Sequence, residues 1–151
     1  RIVLCDALAE ASSETPDLII DIATLTGAAR VALGTGLPAL FTGGDDLAEA
    51  LQRAGKDTDD PVWRLPLHGP YQEMLKSKIA DLNNVSEGGF AGAITAALYL
   101  RSFVADPERW MHIDTYGWND KDRPGRPAGG EGLAMRALFA MLSARYSETD
   151  G

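Results

Sequence analysis

The run Leu18-Ile19-Ile20-Asp21-Ile22 constrains this chain more than any other stretch. It is short, apolar and β-branched, with no alternation of apolar and polar positions, as a strand is when both of its faces are covered. Such a strand belongs centrally in a sheet, and a sheet covered on both sides needs helices on both sides. Thr24-Leu25-Thr26-Gly27 follows at once, then a small-residue helical run over 28–33 that Gly34 and Gly36 close. The chain thus carries a polar turn at the carboxyl end of a buried strand, where open α/β sheets bind their ligands.

The remaining pattern alternates in the same way. Leu4 and Leu8, with Val3, Ala7 and Ala11, predict a helix over 2–11 that Pro16 closes. A strand over 38–42, a Gly43-Gly44 turn and an amphipathic helix through Leu47, Leu51 and Ala54, capped by Asp45 and Asp46, come next. Residues 57–61 read as a solvated loop, 71–78 as a helix, and 79–82 as a short strand. Asn83-Asn84 and Gly88-Gly89 then form a flexible turn. Small and apolar residues predict a helix over 91–104, followed by an alternating strand over 110–116 and a closing amphipathic helix over 133–146. The expectation is one unit over 1–151, a three-layer α/β/α sandwich on a mixed, mostly parallel sheet.

Composition narrows the function classes. A chain of 151 residues, 45% apolar, can bury a single core. The formal net charge is −8 with the acids scattered, which argues against a phosphate-tracking surface and so against nucleic acid. One cysteine, Cys5, excludes an internal disulfide and suits a reducing cytosol. No apolar stretch approaches the roughly 20 residues of a membrane span, and the start lacks a signal-peptide layout, so a cytoplasmic domain with no membrane partner is expected. The opening Arg1-Ile2-Val3-Leu4, without methionine, reads as cut from something longer.

Thr24 to Gly27 is the most informative local chemistry. Hydroxyls and a glycine at a strand-to-helix junction can present backbone N–H groups to a carbonyl or an anion, although ordinary capping by Thr24 or Thr26 explains the same residues. A terminal Arg1 is ordinarily a solvated charge. His68 and His112 have no ligand partner at metal spacing, and HExxH is absent, so His112 reads as a hydrogen-bonded core residue. Asp81 and Asp114 fall near strand ends, where they form a carboxylate pair, cap turns, or pair with Lys78 and Arg126. Ser86 and Ser102 lack a GxSxG elbow. Cys5 beside Asp6 is an inert thiol. Gly88-Gly89, Gly125 and Gly129-Gly130 match neither a Walker loop nor GxGxxG.

Four blocks taken in order are more specific: Arg1 to Leu8 (RIVLCDAL), Asp21 to Ala28 (DIATLTGA), Ala80 to Asn84 (ADLNN) and Ala91 to Ala97 (AGAITAA). Continuing through His112-Ile113-Asp114 to the last helix, they resemble the C-terminal part of the leucyl aminopeptidase family, the two-metal cytosolic aminopeptidases. The resemblance implies an enzyme releasing N-terminal amino acids from peptides. It sets Arg1 at the arginine that ends the family signature NTDAEGR, and so implies that Arg1 is catalytic. It places Thr24 and Gly27 beside the specificity pocket, has Leu25 offer backbone groups to the peptide, and puts Val85 on the leaving-group side.

Two divalent ions, zinc or manganese, are implied for the intact protein, with ligands upstream of Arg1. None of the residues here is then a metal ligand, and this stretch alone is inactive. Such a pair of ions can anchor the amine, polarise the scissile carbonyl and supply hydroxide, while the arginine holds a bicarbonate proton shuttle. A homohexamer is implied as well. The chain departs from the family pattern at Tyr116-Gly117-Trp118-Asn119, where members carry a small residue and glycine, and at residues 123–132. These departures place Tyr116 in the pocket and imply a preference other than leucine. The alternative is an inactive or non-enzymatic member, a scaffold or a DNA binder.

Overall fold

Four strands form the sheet, in the order β1-β4-β2-β3, in a computed structural model that describes residues 1–147. Residues 148–151 of the expected unit lie outside the described residues. Strand β1 (Ile19–Ala23) runs parallel to β4 (Trp110–Asp114), β4 antiparallel to β2 (Ala39–Thr42), and β2 parallel to the two-residue β3 (Trp63–Arg64). The sheet is therefore mixed and mostly parallel, as expected.

Side-chain alternation divides the sheet between two helical layers. Ile20, Leu40, Met111 and Ile113 point to α3 (Asp45–Asp57) and α5 (Met135–Tyr146). Ile19 and Trp110 point the other way, to α1 (Ile2–Ser13) and α4 (Gly92–Arg101), and Ala39 and Phe41 meet α4 and α2 (Gly27–Leu33) on that side. A Cβ built on Gly92 would lie 3.2 Å from that of Ala28, so the missing side chain is what lets α2 lie close against α4. Leu40, Leu51, Met111 and Ile113 are fully buried, and truncating any one to alanine would cost about 2–5 kcal/mol.

Several expectations need correction. Strand β1 lies at one end of the sheet among the described residues, and β4 takes the centre; an unpatterned apolar run reports cover on two faces, not a neighbour on two edges. All five residues of β4 are buried, so it does not alternate, and it stops at Asp114, not 116, before Gly117 turns the chain at φ +65°. Helix α3 has Gly44 at its N-cap; Asp45 and Asp46 sit in its first turn, where they complement the helix dipole without capping it.

The helix expected over 71–78 is a 3₁₀ segment, Gly69–Leu75, whose one buried residue is Leu75. No strand forms over 79–82. The Ser77 hydroxyl accepts from the backbone N–H groups of Ile79 (3.3 Å) and Ala80 (3.2 Å), which turns the chain and leaves Ile79 exposed. Beyond Gly117 a small hairpin pairs β5 (Trp118–Asn119) with β6 (Gly129–Gly130), and Glu131 beside it binds both Arg123 and Arg126.

Candidate functional site

Parallel pairing of β1 and β4 brings Ala23 opposite Asp114, so both strands end on one level and the turn after β1 lies over the last side chain of β4. Asp114 is 3% exposed, and a carboxylate so buried must find donors. Oδ1 accepts from the N–H of Leu25 at 3.0 Å and of Thr26 at 3.3 Å; Oδ2 accepts from the Thr26 hydroxyl at 2.6 Å. The Thr26 oxygen in turn accepts from the N–H of Ala29 at 3.1 Å and caps α2. Of the two threonines, Thr26 is the cap. Thr24 instead donates to the Tyr116 carbonyl at 3.4 Å.

Two expected donors of the turn are therefore already engaged. Leu25 can offer a ligand its carbonyl, and its N–H belongs to Asp114. This also decides between the roles weighed for Asp114: it organises a turn, while Arg126 pairs with Glu131, and Asp81 is exposed in the loop.

Thr24, Leu25, Gly27, Arg30, Thr115 and Tyr116 line a cleft of about 170 Å³ above this turn. The Arg30 guanidinium carbon stands 5.0 Å from the centroid of the Tyr116 ring, within cation–π range. Thr115 is 9% exposed, and its hydroxyl has no partner among the described residues.

Arg1 is half-buried and donates from Nη1 to the carbonyl of Asn84, the residue before Val85. Burial holds its guanidinium below the usual arginine range, an effect that Tyr99 and Asp114 oppose. It remains a fixed cation. The Tyr99 phenol is itself pushed up to about 12, first by its hydrogen bond with Cys5 and then by burial. Thr24, Leu25, Gly27 and Tyr116 thus share one cleft, whereas Arg1 bonds the loop at Asn84, next to Val85, and neither Arg1 nor Val85 lines it.

Deeper on the same face of β4, His112 is fully buried and its Nδ1 bonds Oδ1 of Asp21. Asp21 also accepts from the Trp110 indole N–H at 2.7 Å. The core assignment of His112 holds. Cys5 is buried too, its thiol donating to the Ile2 carbonyl at 2.9 Å. Among the described residues no group of three or more His, Cys, Asp or Glu could hold a metal ion. Asp114 and Asp21 spend their oxygens on protein donors, so neither fits that task. Arg30 and Thr115 belong to no motif, Asn84 only to the end of the ADLNN block, and the one signal that could have found Thr115 is its place just after the strand-ending Asp114.

The catalytic-domain model of the cytosol aminopeptidase family matches residues 1–139. A "Probable cytosol aminopeptidase" of Synechococcus sp. (strain CC9311) is 44% identical over 152 residues, covering 99% of this chain and 30% of the relative. The crystal structure of the cytosol aminopeptidase of Coxiella burnetii superposes with a TM-score of 0.91 at 59% identity, over 96% of this chain and 32% of that one. The bottromycin maturation enzyme BotP, solved in complex with Mn, gives 0.88 at 40% identity, over 95% and 33%. The chain spans about 30% of the length of the curated relatives it matches. No helix among the described residues is long and apolar enough to cross a membrane.

Proposed function

Since the chain belongs to the cytosol aminopeptidase family and matches its catalytic domain, we propose that it is the C-terminal portion of that domain in a metal-dependent aminopeptidase releasing N-terminal residues from peptides. The observation that carries this is the turn over 24–27, held by Asp114 beside a cleft of peptide side-chain size. A peptide lying along it would find a wall whose geometry is set before the peptide arrives, which limits the entropy lost on positioning. Thr24 and Gly27 would flank the N-terminal side chain, Tyr116 would close its pocket, the Leu25 carbonyl would accept from the peptide, and Val85 would lie on the leaving-group side.

Arg1 would act on the reacting carbonyl. A permanent cation with fork geometry, partly withdrawn from water, stabilises negative charge developing on that oxygen better than a solvated one could. Its bond to Asn84 would aim it. The proposal includes two divalent ions, zinc or manganese, held by residues other than those described here; BotP, with Mn, is a precedent for the second. It also includes a homohexamer acting in the cytoplasm. A scaffold or DNA-binding role gains nothing from a net charge of −8.

The test is made on the whole protein, with free and N-acetylated peptides. Release of N-terminal residues from free peptides alone is expected, and no release under metal-replete conditions would refute the aminopeptidase reading. Arg1→Ala should lower kcat by about 10²–10³ at unchanged metal content, and Arg1→Lys should recover little of it. A kcat within about twofold of the parent in both variants would return Arg1 to a structural role.

A further inference from the structure

We infer that the cleft between α2 and Tyr116 takes an acidic side chain, so that Arg30 selects peptides beginning with glutamate or aspartate. The inference rests on the aminopeptidase reading and deepens it.

Three observations point the same way. Arg30 is exposed, lines the cleft, and among the described residues pairs with no carboxylate. Its guanidinium lies 5.0 Å from the Tyr116 centroid, so the ring keeps the charge at the cleft wall. A cation held this way keeps its N–H fork free for a planar carboxylate, which it can bind through two parallel hydrogen bonds. Thr115 also lines the cleft, is nine-tenths buried, and its hydroxyl has no partner among the described residues, which suits a ligand that brings an acceptor.

Asp114 also lines the cleft, and its oxygens accept from Leu25 and Thr26, so its charge is spread into the turn and Arg30 is the cation that must outweigh it for an acidic side chain to bind. The volume, about 170 Å³, is that of a single side chain, so charge and hydrogen bonding make the choice within it.

The test uses the whole metal-loaded protein and a tripeptide series X-Ala-Ala, with X as Glu, Gln, Asp, Asn, Leu, Met and Lys. Glu and Gln have the same shape and differ in charge, so the ratio of their kcat/KM values isolates the contribution of Arg30. We expect Glu to exceed Gln by about tenfold, and the ratio to fall to near one in Arg30→Gln. Arg30→Glu should invert the order and put Lys above Glu. A Glu/Gln ratio near one in the parent, or one that Arg30→Gln leaves unchanged, overturns the inference while Leu or Met release keeps the aminopeptidase reading intact. Release of no residue from any member of the series defeats that reading and the inference with it. Thr115→Val, close to isosteric, should lower Glu and Gln together relative to Met; no change would remove Thr115 from the cleft's chemistry.

Discussion

The turn over 24–27 and the loop over 76–91 carry the two halves of the proposed substrate contacts, and they are held in opposite ways. In the turn, Asp114 and Thr26 satisfy the N–H groups of Leu25, Thr26 and Ala29 through side chains planted at the ends of regular elements. The loop has no buried carboxylate to organise it. Asn83 ties its middle back to its start, through its N–H to the Leu75 carbonyl at 2.8 Å and its side chain to the Lys76 carbonyl at 2.7 Å, Ser86 bonds Thr95 at 3.1 Å, and Ile79, Val85 and Phe90 are left exposed. On the proposed reading, the sheet would fix the substrate on one side, and on the other its placement would depend on a loop that Arg1 itself touches through Asn84.

The strongest way to break the contrast is Asp114→Ala. It leaves two backbone donors and a hydroxyl without their acceptor in a buried place, so a loss of about 3 kcal/mol is expected, read from the shift in denaturant midpoint of the whole protein. Activity should fall with it, because stability and geometry depend on the same bonds. A loss below about 0.5 kcal/mol would show that the turn holds itself.

A smaller effect is expected at the cleft mouth. Tyr116→Ala opens the pocket and releases Arg30, and should shift preference toward larger side chains by about 1–3 kcal/mol in kcat/KM across a peptide panel. A panel led by leucine in the parent and unchanged in the variant would put Tyr116 outside the pocket.

The loop should respond more weakly and on a different axis. Asn83→Ala removes one exposed hydrogen bond and should cost about 0.5–1 kcal/mol of stability. Val85 is 63% exposed, so Val85→Ala should change stability by less than about 0.5 kcal/mol and raise KM alone. If Val85→Ala lowered stability and kcat as Asp114→Ala is expected to, the two regions would not differ in kind.

The same contrast explains what could be read from the sequence. Strand β1, the cap at Thr26 and the small-residue helix after it follow from local pattern, because adjacent residues supply both the signal and the partner. The role of Asp114 does not, since the bonds that decide it span 88 and 89 positions of sequence. Residues 79–82 look apolar enough for a strand, yet the Ser77 hydroxyl takes the N–H groups a ladder would need. The hairpin after Gly117 escaped because its strands are two residues long, too short to show any period. Family resemblance reached Arg1, Thr24 and Gly27 but not Arg30 or Thr115; Arg30 becomes a neighbour of Tyr116 only when β4 is laid beside β1.

The Thr26 hydroxyl has a single proton, and it is given to Asp114 while the oxygen receives the N–H of Ala29. The row of bonds from α2 to β4 can therefore run in one direction only, and it has no alternative arrangement to fall back on. Opening it at the hydroxyl releases the N–H of Ala29, so amide exchange at Ala29 should stay protected in Thr26→Ser and lose protection in Thr26→Val, while Leu25 and Thr26 keep their bonds to Oδ1.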